Sequence, residues 1–351
     1  MSATTTIEWT DRTWNPLRGC TRVSEGCRHC YAERVAWRFG SKPGRPYFGL
    51  VQMTSQGTKW TGRVQVIPEM LEDPLHWREP SLIFVNSMSD LFHEQVPDDF
   101  IDAVMAVMWL SVRHTYQVLT KRPARARRYF DGLAAEPDFD ARMDRALTLI
   151  PEPTKRRPHL CDRIVANTSK GWPAPPNLWL GTSVENQETA DERIPELLAT
   201  RASLRWVSAE PLLGAVDLHR FMVDDGHDAP RFREALHWVV AGGESGPHAR
   251  PMHPDWPRQL RDQCAAAGVP FLFKQHGEWA PGSGVNLKPR AWIDRAGRLV
   301  TERSGEDFPK GATSADGWAA IHQPGKKAAG RLLDGVLHDD YPIASQEPSA
   351  A

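Results

Sequence analysis

A chain of 351 residues, 40% hydrophobic and 25% charged, buries a full core as one large α/β barrel or as two ordinary domains. Its net charge of −1 excludes a global field that would advertise a polyanionic partner. No run approaches the roughly 20 apolar residues of a membrane helix, and Met1 to Asp11 lack the regions of a secretory signal, so a cytoplasmic protein with no membrane partner is expected.

In chain order, the first strand is expected over residues 13–18. It runs into Gly19-Cys20-Thr21-Arg22-Val23-Ser24-Glu25-Gly26-Cys27-Arg28-His29-Cys30. The spacing is C-x6-C-x2-C, with glycine directly before the first two cysteines so that the backbone can curl and three thiolates converge. Three of five cysteines crowded together fit metal binding in a reducing compartment better than a disulfide framework. Without an evident fourth ligand they favour a [4Fe–4S] cluster with one iron open, because structural clusters and structural zinc usually take four protein ligands. Zinc, with His29, Cys161 or a distant histidine as the fourth ligand, stands as the alternative.

A helix follows over residues 31–39. Strands are then predicted at 81–86, 116–120, 178–183, 204–209, 237–241 and 269–274, and helices at 97–112, 123–133, 189–199 and 254–267. Residues 134–176 read as an insertion holding a helix at 138–149. Cys264 is expected to be a buried helix thiol, and the 14 Trp to serve packing first. Past residue 279 the chain reads as a C-terminal extension, 280–351. It carries a hairpin at 291–300, a closing helix at 326–336 and a tail that frays from His338.

Strands alternating with helices imply βαβ units and a parallel sheet. Seven strands, with no Gly-x-Gly-x-x-Gly, suit a partial or complete parallel (β/α) barrel over residues 1–279. Each strand ends in polar residues: Asn86-Ser87-Met88-Ser89-Asp90, Thr120-Lys121-Arg122, Thr182-Ser183-Val184-Glu185, Ser208-Ala209-Glu210, Gly242-Gly243-Glu244 and Lys274-Gln275-His276. In a parallel barrel these ends meet on one face, where active sites are built. The basic runs Lys121 to Arg128 and Lys155 to Arg157 read as solvated faces.

A cysteine loop after a first strand, followed by a partial barrel, resembles the radical S-adenosylmethionine enzymes. Thr13-Trp14-Asn15-Pro16 with the C-x6-C-x2-C loop, Ser89-Asp90-Leu91-Phe92, Leu119-Thr120-Lys121-Arg122-Pro123, Gly181-Thr182-Ser183-Val184-Glu185, Ala209-Glu210-Pro211-Leu212 and Gly242-Gly243-Glu244-Ser245-Gly246 resemble the phage Gp37/Gp68 family, a three-Cys-motif family of unknown function. The match runs from about Trp9 to Trp279, and residues 325–335 resemble its C-terminal end. The resemblance departs from the common radical-enzyme pattern in its longer first cysteine gap. It also lacks a Gly-Gly-Glu after the second strand, where Ser87, Ser89 and Asp90 stand instead.

The resemblance implies a radical S-adenosylmethionine type of barrel with insertions, a [4Fe–4S] cluster on Cys20, Cys27 and Cys30, and S-adenosylmethionine bound at the open iron. Asp90 or Ser89, beside Ser87, would hold the methionine amine. Thr182, Ser183, Glu185 and Glu210 would contact ribose or substrate, while Lys121 and Arg122 would meet a carboxylate or phosphate. Glu244 and Lys274 are further substrate candidates. An electron donor and a nucleic-acid or nucleotide substrate are the expected partners. Two rival readings are a zinc-stabilised nucleic-acid adaptor and a non-radical hydrolase using Asp90, Glu185, Glu210 and Glu244.

Overall fold

The computed structural model describes residues 5–151, 174–222, 235–282, 291–301 and 313–342. The fold is mixed α/β, in two compact units: Met1–Ser183 with Asp191–Arg205, and Val184–Ala190 with Trp206–Ala351. Seven strands share one sheet.

The first unit opens with β1 (Arg12–Trp14), β2 (Leu17–Arg18), α1 (Tyr31–Gly40), β3 (Val51–Thr54), β4 (Gly57–Trp60), β5 (Gln65–Val66) and α2 (Asp73–His76). It continues with β6 (Leu82–Val85), α3 (Asp98–Leu110), β7 (Thr115–Thr120), α4 (Pro123–Ala134), α5 (Phe139–Thr148) and β8 (Leu178–Ser183). The strand expected over 13–18 is two strands. Pro16 cannot donate to a ladder, so β1 pairs in parallel with β6 while β2 turns away to pair antiparallel with β5. From β6 the parallel ladder passes to β7 and then β8. The β3–β4 hairpin was not anticipated.

α3 is buried from Phe100 to Trp109, and the one carboxylate inside it is fully answered. Asp102 accepts from the Tyr129 hydroxyl at 2.7 Å and from Arg142 at 2.7 and 2.9 Å. That pair fixes α5, the helix expected inside the 134–176 insertion, against the core through Met143, Ala146 and Leu147. Residues 152–173 of the insertion, Cys161 and the second basic run among them, lie outside the described residues.

α6 (Gln187–Leu198) and β9 (Leu204–Ala209) lead into the second unit. There follow α7 (His219–Met222), β10 (Trp238–Gly242), α8 (Asp255–Ala267), β11 (Phe271–Gln275), β12 (Ala280–Pro281), β13 (Ala291–Asp294), β14 (Leu299–Thr301), β15 (Trp318–His322), α9 (Lys326–Ala329), β16 (Leu332–Leu333) and β17 (Val336–Leu337). β10 pairs in parallel with both β9 and β11. Its five residues are all buried, the unbroken apolar run of a strand covered on both faces. The rings of Trp206 and Trp238 pack there in a tilted contact with centroids 5.3 Å apart, so these tryptophans are packing residues. Cys264, in α8, is fully buried with its thiol pushed up to about 12 by burial.

Two expectations for the C-terminal extension give way. The closing helix over 326–336 is a single turn, α9, because Gly330 at φ +72 leaves helical geometry. Asp334 and Gly335, both at positive φ, then make the two-residue turn of a β16–β17 hairpin. The tail from His338 does not fray at once. His338 and Asp340 exchange backbone hydrogen bonds with Phe273 and Phe271, covering the edge of β11. Residues 343–351 lie outside the described residues. The hairpin expected at 291–300 is β13–β14, extended by β15 and β12 into a four-stranded antiparallel sheet. Among the described residues, no helix is long and apolar enough to cross a membrane.

Buried imidazoles, His93 and three that face backbone carbonyls, make stability depend on pH. His114, His253 and His276 place Nε2 at 3.2, 3.1 and 2.9 Å from the carbonyls of Pro74, Gly317 and Leu332, and burial foremost lowers each ring's pKa. Below about pH 6.5 the unfolded chain takes up protons that these native rings refuse, so stability is lost as pH falls through that value. The urea midpoint is expected to be flat from pH 8 to about 7 and to drop toward pH 5, with a smaller drop in His253→Gln.

Candidate functional site: the cysteine loop and its clamps

Cys20, Cys27 and Cys30 lie between β2 and α1, free and half-buried. The turn into the loop requires Gly19, at φ +89, where a Cβ would sit 2.2 Å from the Arg63 carbonyl oxygen. Gly19 also bridges Ser89 in parallel, which ties the loop to the segment after β6. Glu25–Cys27 forms a single 3-10 turn, and Cys30 is the N-cap of α1. Cys20 and Cys30 pack with Trp37 and Tyr47 against a cluster that includes Ala32, Ala36, Leu50 and Trp60.

Two guanidiniums clamp this loop. Arg22 reaches Glu33 of α1 through paired contacts of 2.9 and 2.5 Å, and Glu33 accepts further from the Trp60 N–H at 3.2 Å. Glu33 is 1% exposed, so a single carboxylate fastens the loop, α1 and β4 together. Arg122, at the end of β7, is 6% exposed and reaches four ways. It donates to Asp90 at 2.9 Å, to Glu94 at 3.0 Å and to the Thr21 hydroxyl at 2.6 Å, and its Nη1 lies 4.0 Å from the Cys20 sulfur. Burial alone would weaken its charge; Asp90, Cys20 and Glu94 hold its pKa above the ordinary value. His93 completes the ring of contacts. Its Nδ1 accepts from the Gln95 N–H at 3.1 Å, so Nε2 carries the proton and donates to Thr21 at 3.0 Å.

Burial pushes the Cys20 thiol up to about 12; Asp90 raises it further while Arg122 pulls it down. Burial also raises Cys30, and the charges of Cys27 and Cys30 are both felt at Cys20. The three sulfurs are thus electrostatic neighbours on one loop. Among the described residues, however, no three His, Cys, Asp or Glu side chains converge closely enough to hold a metal ion. The donor set itself, three thiols with a guanidinium beside one, fits a three-thiolate cluster. Binding would have to draw the loop in and release the thiol protons.

The first unit gathers most of the residues singled out from sequence, but in roles of its own. Asp90 accepts from Phe92 N and Thr120 Oγ1 at 3.0 and 2.7 Å through Oδ1, and from Lys121 N and Arg122 Nη1 at 3.1 and 2.9 Å through Oδ2. Four donors fill this carboxylate, so it positions Arg122 rather than facing an amine. Ser87 donates to Asn15 at 3.1 Å, Ser89 to the Leu17 carbonyl at 3.0 Å and Thr182 to the Thr120 carbonyl at 2.9 Å. Ser183 is buried beside them and its carbonyl accepts from Arg193. The basic run is no single solvated face, since Arg122 is buried while Arg127 pairs with Asp131 and Glu196.

In the second unit two of the carboxylates are taken up by cations. Glu210 accepts from Lys274 at 2.8 Å and Gln275 at 2.9 Å. Glu244 accepts from Arg250 at 2.7 and 3.0 Å. Glu185 is 1% exposed and its carbonyl accepts from Leu213. Beside them Gly243 passes so close to β11 that a Cβ would lie 2.0 Å from the His276 carbonyl oxygen.

Residues missed from sequence are Arg22 in the cysteine segment, Glu33 in the helix after it, and His93 and Glu94 in the loop after β6. Asn86 was missed as well. It directly follows β6 at φ +60, is 2% exposed, and neither polar atom of its side chain has a hydrogen-bond partner among the described residues. The signal was available, because Asn at a strand end is among the few residues that tolerate a left-handed backbone.

The Arg22–Glu33 clamp can be tested by substitution. Glu33→Gln is expected to cost about 2 kcal/mol in urea unfolding, and to speed the reaction of the loop thiols with a disulfide reagent. Glu25→Gln, which removes the exposed partner of Arg28, is expected to change stability by less than about 0.5 kcal/mol.

The family described as a protein of unknown function (DUF5131) matches residues 4–342. No curated protein and no solved structure matches the chain. A match over nearly the whole chain, with the clamped cysteine loop inside it, makes this protein a member of the DUF5131 family.

Proposed function

We propose that the chain is a radical S-adenosylmethionine enzyme in which Cys20, Cys27 and Cys30 hold a [4Fe–4S] cluster. The supporting observation is three thiols on one clamped loop after the first strand of a parallel sheet, with the Arg122 guanidinium 4.0 Å from one sulfur. The phage Gp37/Gp68 resemblance belongs to the same proposal. When bound, such a cluster supplies the one-electron reduction that cleaves S-adenosylmethionine to methionine and a 5′-deoxyadenosyl radical, the species that abstracts hydrogen from substrate.

The chain's own residues hold and shield that chemistry. Arg22 and Glu33 fix where the loop can move, and Gly19 fixes where it begins. Arg122 offers positive charge beside the Cys20 thiolate, and such charge favours the more negative, reduced state of a bound cluster. The hydroxyls of Ser87 and Ser89 donate inward and keep lone pairs that can accept from a ligand amine. Asn86 brings an unsatisfied amide to the same strand end. The hydrolase alternative loses support, because Asp90, Glu210 and Glu244 each face a cation at 2.7 to 2.9 Å. General acid–base work calls for a carboxyl free to exchange its proton.

After anaerobic reconstitution with iron and sulfide, the protein is expected to be brown with a broad band at the visible edge. With dithionite and S-adenosylmethionine it should release 5′-deoxyadenosine, and Cys20→Ala, Cys27→Ala and Cys30→Ala should each abolish release. A colourless protein with stoichiometric zinc would replace this reading with the zinc-stabilised adaptor. Arg122→Gln is expected to keep the iron content while lowering the reduction potential, read by a redox titration followed by electron paramagnetic resonance.

A further inference from the structure

α1 divides its faces sharply. Ala32 and Ala36 point inward, to the cluster with Leu50 and Trp60. On the outward side Tyr31, Val35 and Phe39, spaced at i, i+4 and i+8, are 46%, 37% and 50% exposed. Cations interleave with them: Arg38 lies on the same face, with Arg28 before the helix and Lys42 just after it, all exposed. The Arg38 guanidinium sits 5.7 Å from the centre of the Phe39 ring. The Tyr31 hydroxyl donates to the Ser87 carbonyl, which steadies its ring at the start of the helix.

The sequence segment that carries this face is far more basic than the rest of the chain. Residues 18–63 hold nine Arg or Lys and two Glu, a net of +7, leaving −8 for the remainder of a chain whose total is −1. Each of the two acids answers one of these cations: Glu33 is buried under Arg22, and Glu25 pairs with Arg28 at 3.6 Å in an exposed contact that a phosphate can replace, while Arg38 and Lys42 are exposed. The near-zero total therefore hides a strongly basic segment, the kind of local charge that attracts a polyanion.

We propose that this face of α1 binds single-stranded nucleic acid, with phosphates on Arg28, Arg38 and Lys42 and unpaired bases stacked on Phe39 and Tyr31. Rings alternating with cations along one stripe match a chain that alternates bases with phosphates. A duplex keeps the faces of its bases covered and offers such rings nothing to stack on. An acidic protein would answer the cations but leave the exposed rings of Tyr31 and Phe39 without a purpose. The stripe begins one residue after Cys30, so a strand held there lies beside the cysteine loop. This location adds a ligand class to the radical reading without resting on it.

The test is fluorescence anisotropy of the full chain with a labelled oligothymidylate of about 20 nucleotides across a salt series, without turnover. Loss of binding and loss of 5′-deoxyadenosine release are therefore separate results. Saturable binding is expected, with a logarithmic salt slope of about −2 for three phosphate contacts. Arg38→Gln with Lys42→Gln should weaken binding about tenfold and reduce the slope by about 1.4. Phe39→Ala should weaken it about tenfold and leave the slope unchanged. All three side chains are exposed, and unchanged urea unfolding of each variant confirms that its fold is intact. The proposal is overturned by absence of saturable binding at low salt, or by variants that bind as the parent does. It is equally overturned if a duplex binds as tightly, or if polyglutamate displaces the strand while Phe39→Ala has no effect, the result expected of a site for an acidic protein.

Discussion

A guanidinium that is 6% exposed has to be compensated on every side, and the first unit is arranged around meeting that demand at Arg122. Removing its hydration is expensive, and the cost is offset only if carboxylates and hydroxyls stand in for water with good geometry. Asp90 provides the buried anion, Glu94 a more exposed one, and Thr21 an acceptor from the cysteine loop itself. The segment after β6, the end of β7 and the beginning of the loop are consequently held as one body. Because Asp90 spends all its acceptor capacity on this task, the residue that looks most like a ligand-binding acid is a structural counter-charge.

The same logic repeats at Glu33, where a buried carboxylate draws Arg22 from the loop and the Trp60 N–H from the hairpin behind α1. Its consequence is directional. With the inner face of α1 committed to alanines and Glu33, the larger aromatic and basic side chains are left on the outer face. A loop carrying three thiols thereby leads directly into a helix whose solvent side is both aromatic and cationic.

In the second unit two of the carboxylates singled out are paired in the same way. Glu210 with Lys274 and Glu244 with Arg250 are short, partly buried pairs at strand ends. Here too the edge of the sheet is managed: residues past β17 run along β11 and satisfy the backbone groups that an exposed edge would present to other chains. Asp334 anchors that arrangement, accepting from Arg258 at 2.6 Å and Arg261 at 2.9 Å, and the two guanidiniums hold its carboxyl down at about 2.

Apolar runs and helix periodicity fixed most of the architecture in advance. β8 and β9 fall on the expected residues and α3, α4, α5 and α8 within about two of them, because burial of a hydrophobic stripe is decided locally. The cysteine loop was equally legible, since a C-x6-C-x2-C cluster is written in the chain itself. Short elements escaped. β3–β4, β5 and the β16–β17 hairpin owe their form to partners far along the chain and to glycines at positive φ, neither of which periodicity records. The roles of charged residues were decided only in three dimensions. Sequence marks Asp90, Glu210 and Glu244 as acids at strand ends, but whether an acid is poised for a ligand or consumed by a cation depends on which guanidinium or ammonium the fold brings within about 3 Å.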